Sequence, residues 1–590
     1  MKNFLKIIAG TFVGSLLAMV LGILILFSII GSMASLSDKS TPVVPSRTVL
    51  FLDFRNKITE RTSDESMPDF DIISAELKTK KQTGILDFVK TIETAAEDPS
   101  VKFIYMNLEK LDAGMTHLEE IRDALGRFRE SGKPIIAYAD NYSQGGYYIA
   151  SVADKIYLNP LGSSSLSGIS ISTLFLKDLL DNLGIEAQLI RHGKFKAAAE
   201  QFISNKMSIE NREQLQAYID AVWDTWTGQI SESRGISRGR IDEIADRLEI
   251  VTAKDAMNAG LVDGIMYKDE LLDTLRHLFG AEKEEDLKMT DFNNYRKARI
   301  KLNLKEKNKI AVLYANGEIV MGPGEKNIAS DNFRQLIAKI RKDSSVKAVV
   351  LRVNSPGGSA QSSDIIDREL RLLKAEKPLI VSMGDYAASG GYWISANADR
   401  IVTNNSTLTG SIGVFSVSFN ASKALDKHLS INAETVNTNL HSDIMSAYRP
   451  LDEEEISYIR SSVEIIYNQF VELVAEGRGL NSRKVDSIGQ GRVWSGYDAL
   501  RVGLADEKGG LNDAIITAAS MSGLESYRVV EYPVIKSQLD RIMEQLGQST
   551  VKAAGMLNNP GYLFEIAYSG LKSFKGNINM ARLPYNLLIN

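Results

Sequence analysis

Two residues in this chain have the type and setting for acyl-transfer chemistry, and they lie in different halves of it. Ser389 is followed directly by Gly390-Gly391-Tyr392. Small neighbours leave a hydroxyl accessible. A strand giving way to a helix over Tyr392 to Ala396 would set that hydroxyl near a helix N-terminus, where developing negative charge is favoured. A serine in such a place is also the ordinary N-cap residue, so position alone leaves both roles open. An internal copy says more. Gly145-Gly146-Tyr147-Tyr148-Ile149 recurs as Gly390-Gly391-Tyr392-Trp393-Ile394, an offset of 245 (390 − 145), and the residue before the earlier glycines is Gln144. A serine nucleophile at this point is available to the second copy alone.

A serine hydroxyl needs a base as it attacks. The chain has no cysteine and only 5 histidines. His117 and His277 fall in helical patterns, His428 and His441 in helical or polar stretches, and His192 has only Gly193 beside it. No His-Glu-x-x-His spacing exists, which argues against a zinc hydrolase, and no metal-ligand set is expected. Lysine is the remaining candidate. Lys196, in Gly193-Lys194-Phe195-Lys196-Ala197-Ala198-Ala199, is flanked by an aromatic ring and three alanines. Such surroundings could strip water from the amine and lower its pKa toward neutrality, although most lysines simply face solvent. Counting without gaps from Ile185 and Ile431 sets Ser442 opposite Lys196, so this base too belongs to one copy.

Two further glycine-rich turns follow strands in the second copy. Asn354-Ser355-Pro356-Gly357-Gly358-Ser359 could present backbone amides to an oxyanion, and Thr409-Gly410-Ser411-Ile412-Gly413 is the other. The first copy has Glu109-Lys110-Leu111-Asp112-Ala113-Gly114 in place of the Pro-Gly-Gly turn. Both the turn and the serine are therefore lost from the same half.

The elements that must position these residues read as α/β. Ser100-Val101-Lys102-Phe103-Ile104 matches Ser345-Val346-Lys347-Ala348-Val349 in the same register, and such a duplication is expected to give two similar domains. In the second copy Val346–Val353 reads as a strand, Ile365–Leu373 as a helix and Pro378–Met383 as a strand again. Strands each followed by a helix favour parallel pairing with right-handed crossovers. A 590-residue chain exceeds one core, and a net charge of −5 without an arginine-rich tract gives no reason to expect nucleic acid as a partner. The charged stretch 283–307 reads as a solvated linker.

From Ile7 to Leu36 the sequence is uncharged, and the first charge is Asp38. That run exceeds the roughly 20 residues needed to cross a bilayer. Lys2 and Lys6 at its head place the remainder on the far side of the membrane by the positive-inside bias. An uncleaved single-pass anchor is expected.

As a set, Ala388-Ser389-Gly390-Gly391-Tyr392, Ser355-Pro356-Gly357-Gly358, Thr409-Gly410-Ser411-Ile412-Gly413 and Ser143-Gln144-Gly145-Gly146-Tyr147 resemble the long, duplicated form of the signal peptide peptidase A (protease IV) family. The resemblance implies a tandem of two Clp-protease/crotonase-like α/β domains behind one transmembrane helix. It implies a Ser-Lys dyad split between the repeats, with Ser389 as nucleophile, Lys196 as general base, Ser411 orienting the lysine, and Gly357 and Gly358 forming the oxyanion hole. It also implies no cofactor, a homotetramer, and cleaved signal peptides and short apolar peptides as substrates. The setting implied is the bacterial cytoplasmic membrane, with the catalytic domains on the periplasmic side. The expected segments are 1–37 (cytoplasmic end and anchor), 38–47 (stalk), 48–282 (first repeat), 283–307 (linker), 308–546 (second repeat) and 547–590 (tail). Within the tail, Tyr562–Tyr568 reads as an amphipathic helix. A crotonase-like acyl-CoA enzyme and a catalytically idle membrane scaffold remain as alternatives at this point.

Overall fold

The structure is a computed structural model. It describes residues 42–534 apart from 63–67, 72–75, 80–81, 302–304 and 325–326, together with 580–582 and the isolated positions 10, 11, 14 and 21. The expected anchor and the 562–568 helix lie outside the described residues. Among those described, no helix is long and apolar enough to cross a membrane.

Apolar, β-branched strands build two sheets, parallel but for one antiparallel edge pair in the second, that repeat one plan. The first runs, edge to edge, Gly264–Ile265, Lys155–Leu158, Ile135–Ala139, Val101–Asn107, Thr48–Asp53, Met289–Asp291. All its pairings are parallel. The second repeats that order with Glu507–Lys508, Arg400–Thr403, Leu379–Ala388, Val346–Ser355, Lys309–Asn316 and Arg528–Tyr532. The short strands Leu408–Gly410 and Val493–Ser495 extend it beyond the serine-bearing strand. Strands buried on both faces carry near-continuous apolar runs, as Val346–Val353 does.

Helices cover the sheets by burying one stripe each. In Ala360–Lys374 that stripe is Ile366, Leu370 and Leu373, spaced three and four apart. Each is nearly fully buried, which is worth roughly 1.5–3 kcal/mol per side chain. Leu370→Ala would forfeit about 2–5 kcal/mol there.

The stretch 283–307 differs from the solvated linker expected of its charge. Met289–Asp291 adds a parallel strand beside Thr48–Asp53, and the helix Phe292–Arg299 buries Phe292 and Tyr295. Only its polar face carries the charge run. In the second copy Arg528–Tyr532 occupies the equivalent edge.

The repeats share a core. One apolar cluster joins Leu50, Ile104 and Ile121 of the first to Val312, Val350 and Leu511 of the second. Buried charges cross the same boundary. Arg352 donates to Glu60 Oε2 at 2.6 Å and to Glu120 Oε1 at 2.8 Å. Such ions are stable inside only when mutually paired, so this contact fixes how the halves sit together. That registration is what lets a residue of one copy enter a site of the other.

Candidate active site

Ser389 ends the Leu379–Ala388 strand and precedes the short helix Gly390–Trp393. Its backbone takes φ 57° and ψ −117°, a conformation L-residues rarely adopt. The N-cap role is not the one it plays, because its side chain makes no capping hydrogen bond. The turn is held instead by the backbone. Ser389 N–H donates to the Gly410 carbonyl at 2.8 Å, and Trp393 N–H donates to the Ser389 carbonyl at 2.8 Å.

Lys196 reaches that hydroxyl from the first repeat. The strand Glu186–Arg191 pairs antiparallel with Phe415–Asn420 of the second copy, and the chain then turns through Gly193 into Lys196. Phe195 N–H donates to the Gln490 carbonyl at 3.0 Å, Gln214 Nε2 to the Phe195 carbonyl at 3.0 Å, and Arg191 Nη1 to the Lys196 carbonyl at 2.7 Å. The lysine backbone is thus tied to both repeats. Its Nζ lies 2.8 Å from Ser389 Oγ, 3.0 Å from Ser411 Oγ and 3.1 Å from the Ser411 carbonyl oxygen.

Burial sets the electrostatics. Lys196 is 1% exposed and Ser389 0% exposed. No carboxylate bonds to the amine, and loss of hydration alone brings its pKa down from 10.5 to about 7. A neutral amine has two N–H groups and one lone pair. With the Ser411 oxygens accepting both N–H groups, the lone pair is left for the Ser389 proton. Ser411 sits at φ 51°, and its N–H is held by the Arg492 carbonyl at 2.7 Å.

The Ser355–Ser359 segment, expected to offer two free amides, departs in part from that expectation. Gly357 N–H donates to Ser355 Oγ at 3.2 Å, so that amide is already engaged. Gly358 lies against the Ser389–Gly390 turn, since a β-carbon on Gly390 would fall 3.2 Å from Gly358 N. Gly358 must itself be glycine, because its own β-carbon would meet the Ile319 carbonyl oxygen at 2.0 Å. The histidines lie elsewhere. His192 bonds Glu464 at 2.7 Å, and His117 lies 3.2 Å from Glu60.

In the first copy the helix begins one residue earlier relative to the repeat, at Gln144, with Ser143 as its true N-cap accepting from Gly146 N–H. Gln144 Oε1 accepts from the Ser167 and Gly168 amides, and Nε2 donates to the Gly168 carbonyl, all at 3.0 Å. The residue opposite Ser389 is a buried brace.

Two glycines crowd the lysine, Gly413 from the Thr409–Gly413 turn and Gly491, which belongs to no motif. Gly491 and Gly413 form the wall beside it, with hypothetical β-carbons 2.5 Å from Lys196 Cβ and 3.2 Å from Lys196 Cδ.

A family model described as peptidase family S49 matches residues 127–282 and 371–525. The chain belongs to peptidase family S49. The first matched stretch contains Lys196, and the second contains Ser389 and Ser411. Protease 4 of Haemophilus influenzae is 37% identical over 517 residues, covering 85% of this chain and 83% of the relative. Protease 4 of Salmonella typhi is 34% identical over 575 residues, covering 92% and 91%. The chloroplastic serine protease SPPA of Arabidopsis thaliana is 33% identical over 499 residues, covering 81% and 72%. This S49 chain is a serine peptidase, which sets aside the acyl-CoA enzyme and the idle scaffold.

Proposed function

We propose that this S49 peptidase is a membrane-anchored endopeptidase that works through a Ser389–Lys196 dyad and degrades cleaved signal peptides and other short apolar peptides. The observation that carries the dyad is the 2.8 Å approach of a fully buried amine to Ser389 Oγ across two repeats. In this mechanism neutral Lys196 takes the Ser389 proton as Oγ attacks the scissile carbonyl. The Gly357–Gly358 turn faces the developing oxyanion, with Gly358 N–H as the donor and Gly357 N–H holding the turn through Ser355. The protonated amine then gives its proton to the leaving nitrogen. Water, deprotonated by the same amine, hydrolyses the acyl-enzyme. Ser411 keeps the amine aimed in both protonation states, since an ammonium can donate to all three oxygens around it.

The wider setting belongs to the same proposal. Each repeat is a Clp-protease/crotonase-like unit, and residues 1–37 anchor the chain in a bacterial cytoplasmic membrane. Four copies then enclose the sites on the periplasmic side. The uncharged run from Ile7 to Leu36 supports the anchor. The substrate class is supported by similarity to an Enterococcus faecium protein named as a putative signal peptide peptidase, 36% identical over 231 residues. The testing experiment is labelling of the detergent-solubilised chain with a fluorophosphonate, followed by peptide mapping. Modification of Ser389 with parallel loss of peptide turnover is expected. Modification elsewhere, or turnover surviving full Ser389 labelling, would overturn the assignment.

A further inference from the structure

The first copy holds a cavity at the position where the second copy has its reacting turns. It encloses about 460 Å³, a size in the range of small-ligand sites. Asp112, Ala113, Gly114 and Gly145 form part of its wall. By the repeat offset (357 − 112 = 245 and 390 − 145 = 245), they stand where the second copy has Gly357, Gly358, Ser359 and Gly390. Gln144, the counterpart of Ser389, spends its amide on the Ser167–Gly168 loop. The space is there without the nucleophile.

Its walls have a chemistry of their own. Leu118 and the rings of Tyr218 and Trp226, from the helix Ile209–Arg234, make it apolar. The second repeat supplies Asp385 and Tyr386 from the Leu379–Ala388 strand, which leads into Ser389. Thr116 donates to Asp385 Oδ1 from both its backbone N–H and its hydroxyl, each at 2.9 Å. The other oxygen, Oδ2, lies over Gly114, where an added β-carbon would fall 1.9 Å from it. Among the described residues Oδ2 has no hydrogen-bond partner, and no lysine, arginine or histidine pairs with Asp385. Lys57, also in the wall, pairs with Asp112 at 3.3 Å instead.

A half-buried carboxylate with one open oxygen and apolar walls around it calls for a cation on an apolar stem. Charge-assisted N–H donors bind carboxylates best, and aromatic faces attract the same cation. An acidic ligand would meet Asp112 and Asp385, and a purely apolar one would leave Oδ2 desolvated without a partner. A peptide carries the required group as a lysine side chain or as its N-terminal ammonium. Asp385 and Ser389 are four residues apart on one extended segment, so about 14 Å at most separates them, a span that four residues of extended peptide also cover.

We infer that the first-copy cavity is a non-catalytic subsite for the ammonium group of a peptide substrate, with Asp385 as its counter-ion. This deepens the peptidase reading and rests on it. The substrate class narrows to apolar peptides that carry an ammonium group within a few residues of the cleaved bond.

The test uses the full-length Ser389→Ala chain in detergent, so that bound peptides survive. Apolar peptides of about nine residues, acetylated at the N-terminus and labelled with fluorescein at the other end, carry one lysine at each position in turn. Anisotropy compares each with the same peptide carrying norleucine, and a further norleucine peptide has a free N-terminus. A lysine peptide or the free-amine peptide is expected to bind about tenfold more tightly than the acetylated norleucine peptide, and which of them does so tells the side chain from the terminus. In the added Asp385→Asn variant, whose remaining oxygen can still accept from Thr116, that ratio should fall to about one. Equal affinities throughout, or a preference that persists in Asp385→Asn, would overturn the inference. A second measurement needs no change at Asp385. Carbodiimide joins an ammonium to a carboxylate in contact with it, so the preferred peptide should be cross-linked at Asp385, as read by peptide mapping. A preference without a cross-link at Asp385 would equally overturn the inference. Failure of the peptidase reading itself would look different, since the chain with Ser389 intact would hydrolyse none of these peptides while the ammonium preference in binding remained.

Discussion

Gly491 lies so close to Lys196 that a β-carbon added to it would fall 2.5 Å from the lysine Cβ and 2.6 Å from its backbone nitrogen. Its φ of 78° is also one that side chains resist. Gly491→Ala should therefore displace the lysine loop while leaving both sheets intact. A shift near 1 Å at a catalytic group costs on the order of 100-fold, so kcat should fall about that far. Steady-state kinetics and circular dichroism check this. Near-normal kcat in a folded variant would show that the wall does not position the amine.

Lysine burial also has a thermodynamic signature. The folded-state pKa of Lys196 is lowered to about 7, against 10.5 for the ordinary side chain. Between those values the unfolded chain binds a proton that the native state lacks, so this group's contribution to stability improves as pH rises. It is most unfavourable below pH 7. Lys196→Met should consequently show a higher Tm than the wild type at neutral pH, with the gap narrowing toward pH 10. A gap independent of pH would contradict a neutral buried amine.

The first-copy site should be dispensable for chemistry. Gln144→Ala removes a side chain that braces the Ser167–Gly168 loop, leaving the amides of exposed Ser167 and half-buried Gly168 to water. Loss of about 0.5–1.5 kcal/mol of stability is expected, with kcat near that of the wild type. Chemical denaturation and peptide turnover on the same preparation check both. Abolished turnover in a folded variant would mean the first copy takes part directly.

What the sequence made legible follows from where the information lies. The duplicated α/β pattern is local, carried by apolar runs such as Val346–Val353, and it appears in both sheets. The glycine turns around Ser389 and Ser411 were readable because small residues at strand ends are conspicuous. The edge strand Met289–Asp291 was not, since 3 residues inside a charged stretch acquire strand character only by pairing with Thr48–Asp53. Gly491 and Gln214 were invisible for a related reason. Their roles depend on contacts between the copies, with Gln214 joining the Phe195 carbonyl to Val493 N–H. The engagement of Gly357 N–H by Ser355 likewise needed three-dimensional placement, because an isolated Pro-Gly-Gly turn leaves both amides nominally available.

Truncating the proposed nucleophile provides a clean reference. Ser389→Ala removes one hydroxyl from a buried turn held by backbone hydrogen bonds, so assembly and Tm should change little while turnover is lost. Residual turnover comparable to the wild type would remove Ser389 from the chemistry.

The central claim is that a neutral Lys196 takes the proton of Ser389, and the most direct measurement is the rate of Ser389 acylation by a fluorophosphonate as a function of pH. The wild-type rate should rise with pH as the amine deprotonates, with an apparent pKa of about 7, and then level off. Lys196→Arg should be as slow as Lys196→Ala across that range, since a guanidinium stays protonated. Lys194→Ala, whose ammonium rests over the Phe195 ring, should follow the wild-type curve. A Lys196→Arg variant that acylates at near-normal rate, or a wild-type profile flat from pH 5 to pH 9, would contradict the account.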